Sequence, residues 1–207
     1  YASCMALVQQ DFKRLIAYSS IAHVGLIAAG VLTMRGNGIQ GAMIQMVSHG
    51  VVAVGLFFIV DLIEKRTLTR AIASISGIRN IAPQLTTAFV IILLGSVALP
   101  LTSGFVGEFL LISSQVQYHA GMGAVAGLTI ILGAVYMLVV FKKTMTGELS
   151  ENAKEFADLS APEKWTLYPI VVLILIIGIY PLPLLDISQA TVSQIVQSVY
   201  ELTAMVR

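Results

Sequence analysis

Three side chains that can exchange protons lie inside stretches of sequence otherwise given over to apolar residues: His23, His49 and Glu108. A neutral imidazole accepts on one ring nitrogen and donates from the other, which suits it to passing a proton onward. A carboxyl group can hold a proton and release it. An ionisable residue at membrane depth is expensive, and its presence there points to function by default. Glu108 follows the run Leu99-Pro100-Leu101-Thr102-Ser103-Gly104, which predicts a broken helix. Proline removes a backbone donor and clashes with the preceding turn. The Thr-Ser-Gly after it is expected to free the chain from helical geometry, so Pro100 and Gly104 mark the expected break. Unwound backbone within a bilayer is tolerated only where protein buries it or where it lines a watery cavity. A broken helix with an acid beside it suggests an ion or proton path.

The elements that must position these groups are membrane helices. Apolar residues make up 57% of the 207, charged residues only 11%, and the mean hydropathy is +0.89, far from soluble-domain composition. No dinucleotide fingerprint, phosphate loop, zinc motif or nucleophile elbow occurs, so no cofactor or metal is expected. The net charge of +1 suggests no nucleic-acid partner. Cys4, the single cysteine, is expected to be an apolar filler. Residues 1–11 resemble the second half of an apolar helix. They lack the features of a signal peptide, and the expectation is that the chain is a piece of a longer membrane protein.

Five apolar stretches follow, each near the roughly 20 residues that cross a bilayer core: about 15–33, 39–63, 84–117, 121–141 and 165–185. The third is too long for one straight crossing but suits two half-helices around a break near 100–104. The expected fold is therefore an all-α polytopic transmembrane helix bundle with one discontinuous helix, forming a single membrane domain. A polar connector spans 67–83, a charged interfacial loop or short helix spans 147–163, and 186–207 is a C-terminal tail.

If the chain alternates sides, Lys13, Arg14, Lys65, Arg66, Arg70, Arg79, Lys142, Lys143, Lys154 and Lys164 collect on one face, against Arg35 and Arg207 on the other. The positive-inside rule makes the basic face cytoplasmic and the tail external. Counting 1.5 Å per residue then puts His23, His49 and Glu108 at one middle depth on three consecutive spans. A lateral proton path would use that coincidence. Each histidine alone could equally be a hydrogen-bond partner between helices, as could Tyr18, Ser19, Ser20 and Ser48. Pairing with Lys65 at i+4 accounts for Asp61. His119 is an interfacial residue by position. Gly25, Gly30, Gly50, Gly55 and Gly133 are expected to be close-packing positions.

Three blocks carry a resemblance: Asp11-Phe12-Lys13-Arg14 through Ser20-Ile21-Ala22-His23-Val24-Gly25; Gly41 through Met46-Val47-Ser48-His49-Gly50; and Leu99-Pro100-Leu101-Thr102-Ser103-Gly104-Phe105-Val106-Gly107-Glu108. In order and spacing they resemble the antiporter-like membrane subunits of respiratory complex I, the NADH-quinone oxidoreductases, and among these the C-terminal portion of the M or chain-4 type. The resemblance implies that His23 and His49 are central histidines of a proton path and that Glu108 is the acid of the discontinuous helix, where related subunits usually carry lysine. Lys13 would stand at the cytoplasmic mouth and Ser48 along the path. The resemblance also implies a subunit without redox chemistry or cofactor of its own and without direct quinone or NADH contact, embedded in lipid beside L-, N- and K-type subunits of an energy-transducing membrane such as a bacterial inner membrane. Asp61 departs from the small or apolar residue that the resemblance leads one to expect. The alternatives are a subunit of a multisubunit cation/proton antiporter or membrane-bound hydrogenase, and a membrane scaffold that does not conduct.

Overall fold

The computed structural model describes residues 1–205, and within them every regular element is helical. Eight α-helices follow in order: α1 Ala2–Leu7, α2 Phe12–Leu32, α3 Gly36–Thr67, α4 Pro83–Ser96, α5 Ser103–Tyr118, α6 Ala120–Met145, α7 Ala161–Ile179 and α8 Leu182–Met205. Among the described residues, α2, α3, α6 and α7 are long and apolar enough to cross a membrane. The half-helices α4 and α5 together make the broken crossing.

Local chemistry sets the helix ends. The Asp11 side chain accepts from the Arg14 amide at 2.9 Å and starts α2. Lys65 and Arg66 close α3, and Lys142 and Lys143 close α6, where cations oppose the negative end of the helix dipole. The charged segment before α7 supplies caps to its neighbours. Asp158 accepts from the Gln84 and Leu85 amides, both at 3.0 Å, capping α4 from outside its own chain segment. Glu163 takes the Ser160 amide at 2.7 Å and pairs with Arg66 at 2.7 Å, tying α7 to the end of α3. The core runs between α2, α3, α4, α6 and α7 around Phe12, Ile59, Ile63, Leu85, Phe89 and Met137.

The break occupies residues 97–102, so Pro100 lies within it. Gly104, expected to belong to the break, instead sits in the first turn of α5. A Cβ there would run into the Gly95 carbonyl oxygen, so this glycine serves close approach rather than unwinding. The left-handed turns fall on Ala98 (φ 53°) and Leu101 (φ 74°), uncommon positions for side-chain-bearing residues. Thr102 repairs part of the lost helix bonding, its hydroxyl donating to the Leu99 carbonyl at 2.6 Å. Gly178 of α7 lies against the backbone of Leu101 and Thr102, so protein covers one side of the unwound stretch.

Other expectations need correction. Cys4 is exposed, because α1 buries Ser3 and Ala6 on its opposite face. Residues from 186 onward continue α8 as far as Met205, where a tail was expected, and the Gln40 amide reaches from α3 to the Leu185 carbonyl at 3.1 Å. Arg207, assigned to the external face, lies outside the described residues. Of the expected packing glycines, Gly30 and Gly55 are tightly faced by neighbours, whereas a Cβ at Gly25 or Gly50 would meet nothing within 4 Å and at Gly133 only the Tyr136 ring. Asp61 does pair with Lys65, at 2.7 Å on the exposed surface, where such a pair contributes little.

Candidate functional site

Helices α3 and α5 approach each other through glycine. A Cβ on Gly41 would lie 3.0 Å from the Leu111 amide nitrogen, and one on Gly107 would collide with the Gln45 side chain. On α3, Gln45, Ser48 and His49 stand at i, i+3 and i+4, so one face carries all three. On α2, Ser19, Ser20 and His23 fall within one turn. The small residues bring these two polar faces onto Glu108.

Glu108 is 1% exposed. Its Oε1 lies 2.9 Å from His23 Nδ1 and accepts from Gln45 Nε2 at 3.1 Å. The His23 and His49 rings are tilted at 36° with centroids 5.2 Å apart. His49 Nε2 shares a hydrogen bond with the Ser20 hydroxyl at 2.8 Å. The titratable side chains therefore lie in series, His49 in ring contact with His23 and His23 in polar contact with Glu108. A cavity of about 10 Å³ adjoins the series, lined by His23, Glu108, Thr129 and Tyr136 among others. That volume is near the smallest that holds one water.

The remaining expected residues are placed differently. Ser48 is fully buried, but its hydroxyl donates to Ser103 at the start of α5, at 2.7 Å, and so links α3 to the edge of the break. Lys13 is exposed in the first turn of α2, ten residues before His23 and thus about 15 Å away along the helix. The structure does not bring it to the cluster. His119 is exposed and caps α6 by accepting from the Gly121 amide. Among the described residues, no group of three or more His, Cys, Asp and Glu side chains is disposed to hold a metal ion.

Two polar residues of the site escaped the sequence reading. Gln45 is 2% exposed and bonds Glu108 directly; its place one turn before His49 was the available signal. Tyr136 is buried on α6, its hydroxyl 2.8 Å from Ser19 and its ring against the cavity. In an apolar span a tyrosine looks like any other packing residue, so its sequence offered no such signal.

The 2.9 Å contact places His23 Nδ1 within proton-transfer distance of Glu108 Oε1. A doubly protonated His23 would transfer its Nδ1 proton to Glu108 Oε1 and remain as neutral imidazole carrying a proton on Nε2. Ring rotation or tautomer exchange would ready it for another proton from the His49 side.

The family described as NADH:quinone oxidoreductase/Mrp antiporter, transmembrane, matches residues 1–133. NADH-quinone oxidoreductase subunit M of Rickettsia prowazekii is 41% identical over 196 residues, 94% of this chain and 40% of that protein. NADH-ubiquinone oxidoreductase chain 4 of Arabidopsis thaliana is 35% identical over 198 residues, 95% of this chain and 40% of that protein. The chain thus spans about 40% of the length of these curated relatives. A chain of respiratory complex I from Thermus thermophilus with bound NADH superposes with a TM-score of 0.82 at 30% identity, covering 94% of this chain and 42% of the other. A chain of the Mrp complex from Dietzia shares the fold, with a TM-score of 0.86 at 18% identity over 94% of this chain and 45% of its own length.

Proposed function

The chain belongs to the NADH:quinone oxidoreductase/Mrp antiporter family of membrane proteins, and on that premise we propose that it is part of a proton-translocating, antiporter-like subunit in the membrane arm of a respiratory complex I. Electrons and quinone are handled elsewhere in such a complex, and this chain performs no redox step. Its part is to move protons laterally through His49 and His23 to Glu108, the terminal acceptor and donor of the series. The carrying observation is the 2.9 Å contact between His23 Nδ1 and Glu108 Oε1 in a buried pocket. A neutral scaffold has no need to bury a carboxyl against an imidazole. L-, N- and K-type membrane-arm subunits are its proposed neighbours. A cation/proton antiporter subunit is the second reading, favoured by the fold shared with the Mrp complex. Co-purification with NADH dehydrogenase subunits, or with other antiporter chains only, separates the two.

The series itself is tested at His49. In the full-length subunit within its assembled complex, His49→Ala should leave assembly intact and reduce proton pumping severalfold. Reduced assembly with normal pumping per assembled complex would assign the ring a packing role instead.

The basic loops are proposed to face the cytoplasm and α8 the opposite side. In a Cys4→Ser background, Lys143→Cys should resist an impermeant thiol reagent applied from outside, and Gln194→Cys should react with it. The reverse labelling pattern would invert the orientation.

A further inference from the structure

We propose that Gln45 is a positioning residue for proton transfer: its amide holds Glu108 Oε1 on His23 and thereby fixes which carboxyl oxygen receives the proton. The inference rests on the reading of Glu108 as a proton carrier and extends it to the atom at which the proton arrives. A carboxyl at the end of a glutamate turns easily about its last torsion, a broad and nearly two-fold well. One donor alone would let Oε1 and Oε2 exchange places at the cost of a single hydrogen bond. Here two nitrogens from two different helices meet on the same oxygen: His23 Nδ1 from α2 at 2.9 Å and Gln45 Nε2 from α3 at 3.1 Å. Exchange of the oxygens must break both at once. Glu108 Oε2 is buried and has no hydrogen-bond partner among the described residues, so the two oxygens are chemically distinct. Oε1 is the one presented to the histidine series, and Oε2 is the one free of it.

The amide is built into this position. Gln45 is 2% exposed, and its aliphatic stem packs against the site of a glycine. A Cβ added at Gly107 would come within 2.8 Å of Gln45 Cβ and 2.9 Å of its Cα, besides striking Oε1. The glycine immediately before Glu108 is what admits the Gln45 side chain to the carboxyl. A carboxamide is suited to this task because it donates to either protonation state of the acid and does not itself titrate.

The test uses the full-length subunit in its assembled complex and two readouts, proton pumping and the turnover-induced infrared difference spectrum. Glu108→Gln first identifies the carboxylic C=O band of Glu108 by its disappearance. Gln45→Met keeps the length and removes the donor. A hydrogen bond to an ionisable partner is worth enough for its loss to slow pumping by about tenfold, and the Glu108 band should broaden as the two oxygens become interchangeable. Gln45→Asn, which retains the amide on a shorter arm and covers the case in which the Met variant fails to accumulate, should broaden the band less. An unchanged band and unchanged pumping in an assembled Gln45 variant, with Glu108→Gln inactive, would overturn the positioning role while leaving the proton carrier in place. Absence of any band lost in Glu108→Gln would overturn the proton-carrier reading itself.

Discussion

Gly107→Leu should abolish accumulation of the assembled subunit, the largest structural effect expected from any single substitution near the site. The Gly107 Cα faces α3 at the level of Gln45, and the first added carbon already meets Gln45 Cβ at 2.8 Å. Four carbons cannot be accommodated by rotamer change, because the adjacent surface of α3 is backbone as well as side chain. Overpacking a well-filled interior costs about 1–3 kcal/mol for a few methylenes that can relax, and here relaxation means separating two helices. That separation would also part Glu108 from Gln45 and from His23, so any protein that does assemble should pump poorly. Gly127→Leu is the control, since a Cβ at that position on α6 meets nothing within 4 Å. Quantifying assembled complex in membranes from the two variants tests the expectation. Normal assembly and pumping of the Gly107→Leu variant would show that the α3–α5 approach is not set by this glycine.

That the three residues share one level of the bundle was legible because it depends only on counting. His23 and His49 sit about midway along α2 and α3, Glu108 lies just past the break, and the rise per residue is nearly constant in a helix. The break was legible for a similar reason: the constraint imposed by Pro100 is local. Its extent was not. In sequence Gly104 extends a flexible Thr-Ser-Gly, but whether a glycine unwinds a helix or admits a neighbour depends on the Gly95 carbonyl opposite it, which no local signal reveals. The direction each residue faces around its helix was harder still. In soluble proteins the apolar stripe marks the buried side, but a span that is apolar all round carries no stripe. Gly30 and Gly25 are therefore indistinguishable in sequence, although one is packed and the other open. Polar residues inside spans restore the missing direction. Gln45, Ser48 and His49 share a face at helical spacing, and from that face Gln45 meets Glu108 and Ser48 meets Ser103 on α5. Tyr136 is both packing and polar, so only its hydrogen bond to Ser19 separates it from the surrounding apolar residues. Residues from 186 onward look tail-like because polar and apolar residues alternate there. In the structure that alternation is the signature of an amphipathic helix, α8.

Glu108 carries the second large effect. A buried carboxyl 2.9 Å from an imidazole can be retained for its shape, for its hydrogen bonds or for its proton, and these roles are separable. Glutamine preserves the length, the planar end and the ability to accept from Gln45, but it cannot exchange a proton. Aspartate preserves the acid on an arm one methylene shorter, which lengthens the transfer distance to His23. Should the chain act as proposed, the two variants will diverge although both keep a planar polar end group, with Asp retaining a measurable part of the function and Gln very little. A structural role would order them the other way, because Gln is the closer match in volume.

The decisive measurement is protons pumped per electron transferred by the purified complex in sealed vesicles, with the full-length subunit carrying Glu108→Gln and assembly verified independently. The predicted result is an assembled complex with pumping strongly reduced, and partial recovery with Glu108→Asp. Full proton pumping by the Gln variant would contradict the account and leave Glu108 as a hydrogen-bond partner that holds α5 against α2 and α3.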